Sequence, residues 1–314
     1  RARDATMACS PLVSAAWLSA RLAAASVKGG AGGAISNVNV RDIESAVRVL
    51  DASWYLPTMK RNGREEYEER RIPTAAFFDI DETDDQSGLP HMLPSEKFFS
   101  STMDRLGIRP CDHVVCYDGH GIFSAPRAWW LLRAFGHEKV SVLDGGLPAW
   151  LADGHTIETG EPTSFPANAA SDSYAAKLQS ELVCTLNQMR ANIVTGRAQV
   201  VDARSAGRFA GTEPEPRAGL RSGHIPGSRS LPFGKVLNEG RMLPADQLRS
   251  AFESAGVDLG GRPLLLSCGS GVTASTLALG LAALGKSDVA VYDGSWSEWG
   301  QSTLDTPVET GPQV

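Results

Sequence analysis

The sequence predicts an α/β protein made of two tandem repeats, each a parallel sheet flanked by helices, with the second repeat carrying a candidate catalytic cysteine. Three observations predict it. First, blocks recur in one order at spacings of 149–153 residues. Leu50-Asp51-Ala52 matches Val201-Asp202-Ala203, Ile72-Pro73 matches Ile225-Pro226, and Val114 to Gly121 lies over Leu264 to Gly271. Val142 to Gly146 lies over Val291 to Ser295, and the two runs continue to Trp150 and Trp299. A period of this kind marks a duplicated unit. Second, short apolar runs ending at turn residues alternate with helical stretches, the pattern of buried parallel strands with crossover helices. Third, Cys268 follows such a run and stands in a glycine-bearing loop that opens a helix, where ligands gather at the carboxyl ends of parallel strands.

In chain order, the N-terminus comes first. The chain starts at Arg1 and its first methionine is Met7, so residues 1–6 read either as the stretch behind a removed targeting segment or as a remnant. Gly29 to Gly33 reads as a surface loop, because no Gly-Lys-Ser/Thr follows to make a phosphate loop. Lys60 to Arg71 alternates charge and reads as a solvated helix with i,i+4 pairs. Glu158 to Ser173, rich in Thr, Pro, Ser, Ala and Asn, reads as the linker. Val200 to Asp202, Leu264 to Ser267 and Val289 to Tyr292 read as strands. Ala245 to Ala255, behind Pro244 and before Gly256, and Val272 to Leu284, before Gly285, read as helices. The expected domains are 10–158 and 177–312, joined by 159–176.

Composition narrows the function classes. The chain has 314 residues, 42% hydrophobic and 21% charged, an ordinary globular mixture long enough for two cores. Its net charge of −6 offers no basic footprint for nucleic acid or anionic lipid. No apolar run approaches the length of a membrane helix. The five cysteines, Cys9, Cys111, Cys116, Cys184 and Cys268, are odd in number and include no Cys-x-x-Cys pair. That speaks against a disulfide framework or a cysteine-rich zinc site, and for a reducing compartment.

The chemistry centres on Ser267-Cys268-Gly269-Ser270-Gly271-Val272-Thr273-Ala274-Ser275. Glycines let successive backbone N–H groups converge, and a helix N-terminus behind them favours an anion. A thiolate held there is a nucleophile. The alternative is a cysteine packed at a strand end. Asp118 takes the matching place in the first repeat and cannot act as a sulfur nucleophile. One active and one degenerate half would place the pocket between them. Cys111, Cys116 and Cys184 carry no motif and read as structural, as does His224 in its turn.

On these residues the chain resembles the tandem-domain rhodanese-type sulfurtransferases from about Ser10 to Gly311. The loop is similar to that of the 3-mercaptopyruvate sulfurtransferase subgroup; the thiosulfate sulfurtransferases carry Cys-Arg-Lys-Gly-Val-Thr there, so Gly269 and Ser270 stand in place of basic residues. His224-Ile225-Pro226-Gly227, Asp293-Gly294-Ser295-Trp296 and Leu89-Pro90-His91-Met92-Leu93-Pro94 carry the resemblance further, and Ala52-Ser53-Trp54-Tyr55 and Gly136-His137-Glu138-Lys139-Val140 resemble plant and green-algal members.

The resemblance implies two rhodanese-like domains, with Cys268 as the persulfide-forming nucleophile. Arg208 and Arg217 would clamp the substrate, as guanidinium forks suit the carboxylate and carbonyl of a 2-oxo acid. Gly269, Gly271, Val272 and Thr273 would line it, with the backbone N–H groups of the last three holding the sulfur anion. Ser270, His91 and Asp81 would form a relay across the cleft, although His91 also reads as a turn histidine. The implied partners are 3-mercaptopyruvate and a thiol acceptor such as thioredoxin, or cyanide, with no metal or organic cofactor. A monomer in the mitochondrion or cytoplasm, not a secreted protein, is expected. Thiosulfate:cyanide transfer and a persulfide carrier without turnover are the alternatives; a cysteine phosphatase needs Cys-x5-Arg, and Ala274 stands where that arginine would be.

Overall fold

The computed structural model describes residues 9–29, 46–162 and 173–312. The first residues and the Gly29–Gly33 loop, beyond Gly29 itself, lie outside them, as does most of the expected linker. Two five-stranded sheets carry the fold. The first has the order β1 (Leu12–Val13), β5 (Val140–Leu143), β4 (His113–Tyr117), β2 (Val47–Asp51), β3 (Ala76–Phe77). The second has β6 (Val183–Cys184), β12 (Val289–Tyr292), β11 (Leu264–Ser267), β7 (Gln199–Asp202), β8 (Arg229–Ser230). Every pairing in both is parallel. The strands correspond one to one in order, as the duplicated blocks require. A hairpin of β9 (Leu237–Asn238) and β10 (Arg241–Met242) is added in the second repeat.

Both faces of each sheet are buried, which is why the strands read as apolar runs rather than alternating ones. Val114 and Cys116 of β4 face one core and Val115 and Tyr117 the other. In the second repeat Leu264 and Leu266 face the first of these cores, and Leu265 packs on a third. The first core is therefore common to both repeats. It is closed by α4 (Ala125–Ala134) packing on its counterpart α9 (Val272–Ala283). Helix α9 is apolar on all sides because its own sheet and α4 cover it.

The remaining helices complete the layers, with Phe99, Met103, Leu248 and Phe252 entering the shared core and residues of others packing on the outer faces. They are α1 (Ala15–Gly29), α2 (Gly63–Glu69), α3 (Glu96–Arg105), α5 (Gly146–Ala152), α6 (Leu186–Thr195), α7 (Ala206–Ala210), α8 (Ala245–Ser254) and α10 (Ser295–Trp299). Helix α2 starts where Asn62 accepts the N–H groups of Arg64 and Glu65. The charged run around it is not wholly solvated. Arg71 is buried and donates to the carbonyls of Gly160 and Glu161, because its guanidinium satisfies the carbonyls of the segment leaving the first repeat.

The repeats grip each other reciprocally. Asp144, after β5, accepts the Met242 N–H of the second repeat at 2.9 Å. Its counterpart Asp293, after β12, accepts the Leu93 N–H of the first repeat at 2.9 Å. Residue i meets j and j meets i, as in a twofold dimer interface.

Tyr174, near the end of the expected linker 159–176, packs back on the first repeat. Its hydroxyl meets His137 Nδ1 at 2.9 Å, while His137 Nε2 donates to the Asp112 carbonyl at 3.1 Å. Burial holds the His137 imidazole down at about 4, against the pull of that carbonyl. The unfolded chain takes up this proton near pH 6.5, so the residue costs nothing above that pH and destabilises progressively as pH falls toward 4, by up to about 3 kcal/mol. Denaturant unfolding between pH 7.5 and 4.5 should show His137→Gln losing less stability on acidification than the wild type; equal losses would rule this out.

Candidate active site

The site is built where β11 ends. Gly271 caps α9 at φ 81°, a left-handed conformation that favours glycine, and a Cβ there would lie 2.6 Å from Arg127 Nη1. The cysteine stands in the bend between strand and cap, 1% exposed. The segment after β12 supports it from below. Cys268 N–H donates to Ser295 Oγ at 3.2 Å, Trp296 N–H donates to the Cys268 carbonyl at 3.0 Å, and Ser297 N–H donates to the Gly269 carbonyl at 2.8 Å.

The first repeat shows what this bend is made to hold. There the Asp118 carboxylate accepts four backbone N–H groups. Oδ1 takes that of His120 at 2.9 Å; Oδ2 takes those of Phe123 and Ser124 at 2.9 Å and Ala125 at 2.8 Å. Burial pushes the Asp118 carboxyl up, and these donors pull it back. In the register of the repeat the first three donors correspond to Ser270, Thr273 and Ala274. Their N–H groups have no acceptor among the described residues. The analogy with Asp118 thus adds Ser270 and Ala274 to Thr273, which the expected set of Gly271, Val272 and Thr273 already holds. Cys268 Sγ makes no hydrogen bond with a described residue.

A cavity of about 200 Å³ opens over the cysteine between the repeats. Trp54, Leu56 and Phe123 line it from the first repeat; Arg208, Arg217, Cys268, Gly269, Ser270, Val272 and Thr273 line it from the second. Arg208 stands on α7 and is held by Glu215, Nε to the carboxylate at 3.2 and 3.3 Å and Nη2 at 2.5 Å. Gly269 makes room for it: a Cβ there would lie 3.1 Å from Arg208 Nη2. Arg217 makes no hydrogen bond or ion pair with another described residue. Burial pulls its guanidinium below the ordinary value; the Cys268 sulfur opposes that and the like charge of Arg208 adds to it.

His91 and Asp81 meet on the first repeat, Nδ1 against Oδ1. His91 is buried in a left-handed conformation, φ 60°. Trp54 bridges to the cavity: its Nε1 donates to Asp81 Oδ2 at 2.8 Å and its ring meets His91 edge-on at 4.6 Å. Burial raises the Asp81 carboxyl, but His91 and Trp54 outweigh it and the net direction is downward. Neither Asp81 nor His91 lines the cavity, and His91 Nε2 has no hydrogen-bond partner among the described residues. The structure thus assembles Cys268, Ser270, Arg208 and Arg217 in one group and Asp81 with His91 in another, without a hydrogen bond from His91 to Ser270.

Of the other cysteines, Cys116 and Cys184 are buried and Cys111 is exposed, and all five are free. His224 is a structural tie: Nδ1 donates to the Phe209 carbonyl at 2.8 Å and the ring stacks on Phe209. Sequence reading missed Glu215, Arg127 and Asp293 as site residues. The signal for Glu215 was an acid set between two prolines, beside two arginines that need a counter-charge. Among the described residues no group of His, Cys, Asp and Glu forms a metal-ligand set, and no helix is long and apolar enough to cross a membrane.

Gly271→Ala should cost about 1–3 kcal/mol through the backbone conformation alone and displace Arg127. Thermal unfolding with crystallography of the variant checks it; a stable variant with Arg127 unmoved would contradict this reading of the cap.

Comparison with known proteins places this geometry. The rhodanese-like domain profile matches twice, at residues 43–153 and 185–302. The chain is 46% identical over 285 residues to the thiosulfate/3-mercaptopyruvate sulfurtransferase 1, mitochondrial, of Arabidopsis thaliana, covering 85% of this chain and 75% of that one. It is 47% identical over 292 residues to the thiosulfate sulfurtransferase of Gallus gallus, covering 92% of each. The crystal structure of the 3-mercaptopyruvate sulfotransferase SseA from Escherichia coli superposes with a TM-score of 0.76 at 37% identity, covering 92% of this chain and all of that one. Matched in both repeats and over most of its length, the chain belongs to the rhodanese family.

Proposed function

We propose that this protein is a sulfurtransferase that takes sulfur from 3-mercaptopyruvate onto Cys268 and passes it to a thiol acceptor, releasing pyruvate. Relatives named for mercaptopyruvate and for thiosulfate stand at nearly equal identity, so global similarity does not choose between these donors. The local observation that carries the choice is the pair Gly269 and Ser270. The loop adds no basic side chain, and the bare Gly269 lets Arg208 lie over it beside Arg217.

The chemistry follows from the placement. The substrate carboxylate and carbonyl take the two guanidinium forks. The Cys268 thiolate attacks the substrate sulfur, the carbon–sulfur bond breaks, and its electron pair passes to carbon as the pyruvate enolate. Charge building on the carbonyl oxygen is met by the arginines, and the free N–H donors of Ser270, Thr273 and Ala274 hold the sulfur anion before attack. Protonation of the enolate gives pyruvate, with Ser270, and the His91–Asp81 pair behind Trp54, as the proton-handling groups of this reading. An acceptor thiolate, from thioredoxin or a small thiol, or cyanide, then removes the outer sulfur; a second thiol releases it as hydrogen sulfide. The enzyme works as a monomer of domains 10–158 and 177–312 joined by 159–176, in the mitochondrion or cytoplasm.

Pyruvate release from 3-mercaptopyruvate with a reducing thiol, measured beside thiocyanate formation from thiosulfate and cyanide, tests this. Mercaptopyruvate should be strongly preferred, and Cys268→Ser should lose at least about 10³-fold in kcat/KM. Arg208→Ala and Arg217→Ala should each lose about 10- to 100-fold. A preference for thiosulfate would overturn the donor. Persulfide formation on Cys268 without turnover would leave a carrier.

A further inference from the structure

The two arginines over the cavity are not electrically equivalent. Arg208 gives Nε and Nη2 to Glu215, whose side chain is 2% exposed. The other Glu215 oxygen accepts from Arg204 Nη1 at 2.7 Å, and Arg204 Nη2 pairs with Asp202 at 2.6 Å. Asp202, Arg204, Glu215 and Arg208 form one continuous chain of alternating charge that sums to zero. It is stacked on Trp296 through Arg204, 4.2 Å from the ring centroid. Arg217, two residues past Glu215, stands outside the chain with no partner among the described residues. The cavity thus carries two guanidinium donors, one bound into a neutral chain and one outside it, on which the Cys268 sulfur, Asp81 and Glu215 act only through space.

We propose that Glu215 is a positioning residue that sets donor choice by charge. It aims the Arg208 fork over Gly269 while cancelling its field. The site is thereby matched to a monoanion with a neutral carbonyl beside it, and mismatched to a dianion such as thiosulfate, which needs a second uncompensated cation. Gly269 and Ser270 then withhold charge from the loop, and Glu215 withholds it from the wall. Selection is by net charge at nearly constant donor geometry. The proposal rests on the mercaptopyruvate reading for the identity of the monoanion, but not for the charge rule itself.

The test compares Glu215→Gln with Glu215→Asp and wild type. Glutamine keeps an acceptor for Arg208 and removes the charge. The ratio of kcat/KM for thiosulfate to kcat/KM for mercaptopyruvate should rise about tenfold in Glu215→Gln and shrink again toward about 0.3 M salt, while Glu215→Asp keeps the wild-type ratio. A residue needed only for folding would lower both activities together and leave the ratio unmoved, which overturns the proposal. Inhibition by sulfate and by sulfamate, near-isosteres differing by one charge, reads the rule in folded wild type. Comparable inhibition supports it; sulfate binding more than about tenfold tighter overturns it, even if no variant folds. If the wild type instead prefers thiosulfate while sulfate and sulfamate inhibit alike, the donor assignment falls and the charge rule stands.

Discussion

The buried carboxylate of Asp293 is the contact on which the two halves of the site depend. One oxygen pairs with Arg127 Nη2 at 2.6 Å and the other accepts the Leu93 N–H. The same Arg127 nitrogen donates to the His91 carbonyl. Arg127 is fully buried, packs on Trp130, and its Nη1 lies behind the Gly271 cap. Directly after Asp293 come Ser295 and Trp296, which hold the cysteine backbone. One ion pair therefore fixes the position of the His91 turn, the cysteine bend and the start of α9 together. A buried pair of this kind contributes little to stability over an apolar replacement, yet loss of one partner strands a charge at about 3–5 kcal/mol. Its value to this protein lies in registration of two repeats that otherwise meet through apolar packing of α4 on α9 and the reciprocal contact of Asp144 with the Met242 N–H.

Duplication explains why the anion nest is visible at all. A loop that points several N–H groups at one spot favours a negative group there. In the first repeat a carboxylate does so permanently, and Asp118 is inert for that reason: its oxygens are fully engaged and it is fully buried. In the second repeat the side chain is a thiol, shorter in reach and able to change its covalent partner. The same backbone thus holds a carboxylate saturated by its own N–H groups in one half and a free thiol beside a cavity in the other.

Much of this was legible in the sequence. The repeat, the strands at Leu264–Ser267 and Val289–Tyr292, the helix from Val272 and the cysteine bend follow from local pattern and spacing, because burial on both faces writes itself as apolar runs. Arg208, Arg217 and Ser270 were placed by resemblance, and they do gather at the cavity. What could not be read were contacts between distant segments. Arg71 reads as a surface charge in an acidic run, and only the return of residues 160–161 makes it buried. Arg127 reads as one charge in an apolar helix until Asp293, far along the chain, is set against it. No hydrogen bond joins His91 to Ser270 among the described residues, and Trp54 stands between His91 and the cavity. Where Trp54 packs against His91 and Asp81 is set by the tertiary fold, which no local pattern encodes.

The cavity over Cys268 draws on equivalent positions of both repeats. Phe123 and Thr273 are counterparts in the repeat, as are Trp54 and Ser205, and both members of each pair line the same space. The cavity therefore straddles the approximate twofold relating the halves. A site on such an axis sees both loops at once, so two nucleophiles there would compete for one volume and two thiolates would repel. Turning Asp118 inward onto its own N–H groups removes one charge and one reactive group from that volume. It leaves the first repeat to contribute what the second lacks: the aromatic wall of Trp54 and Phe123, and the His91–Asp81 pair behind it. The thiol in one half and the carboxylate in the other thus go together with an asymmetric site, in which two unlike loops face one volume.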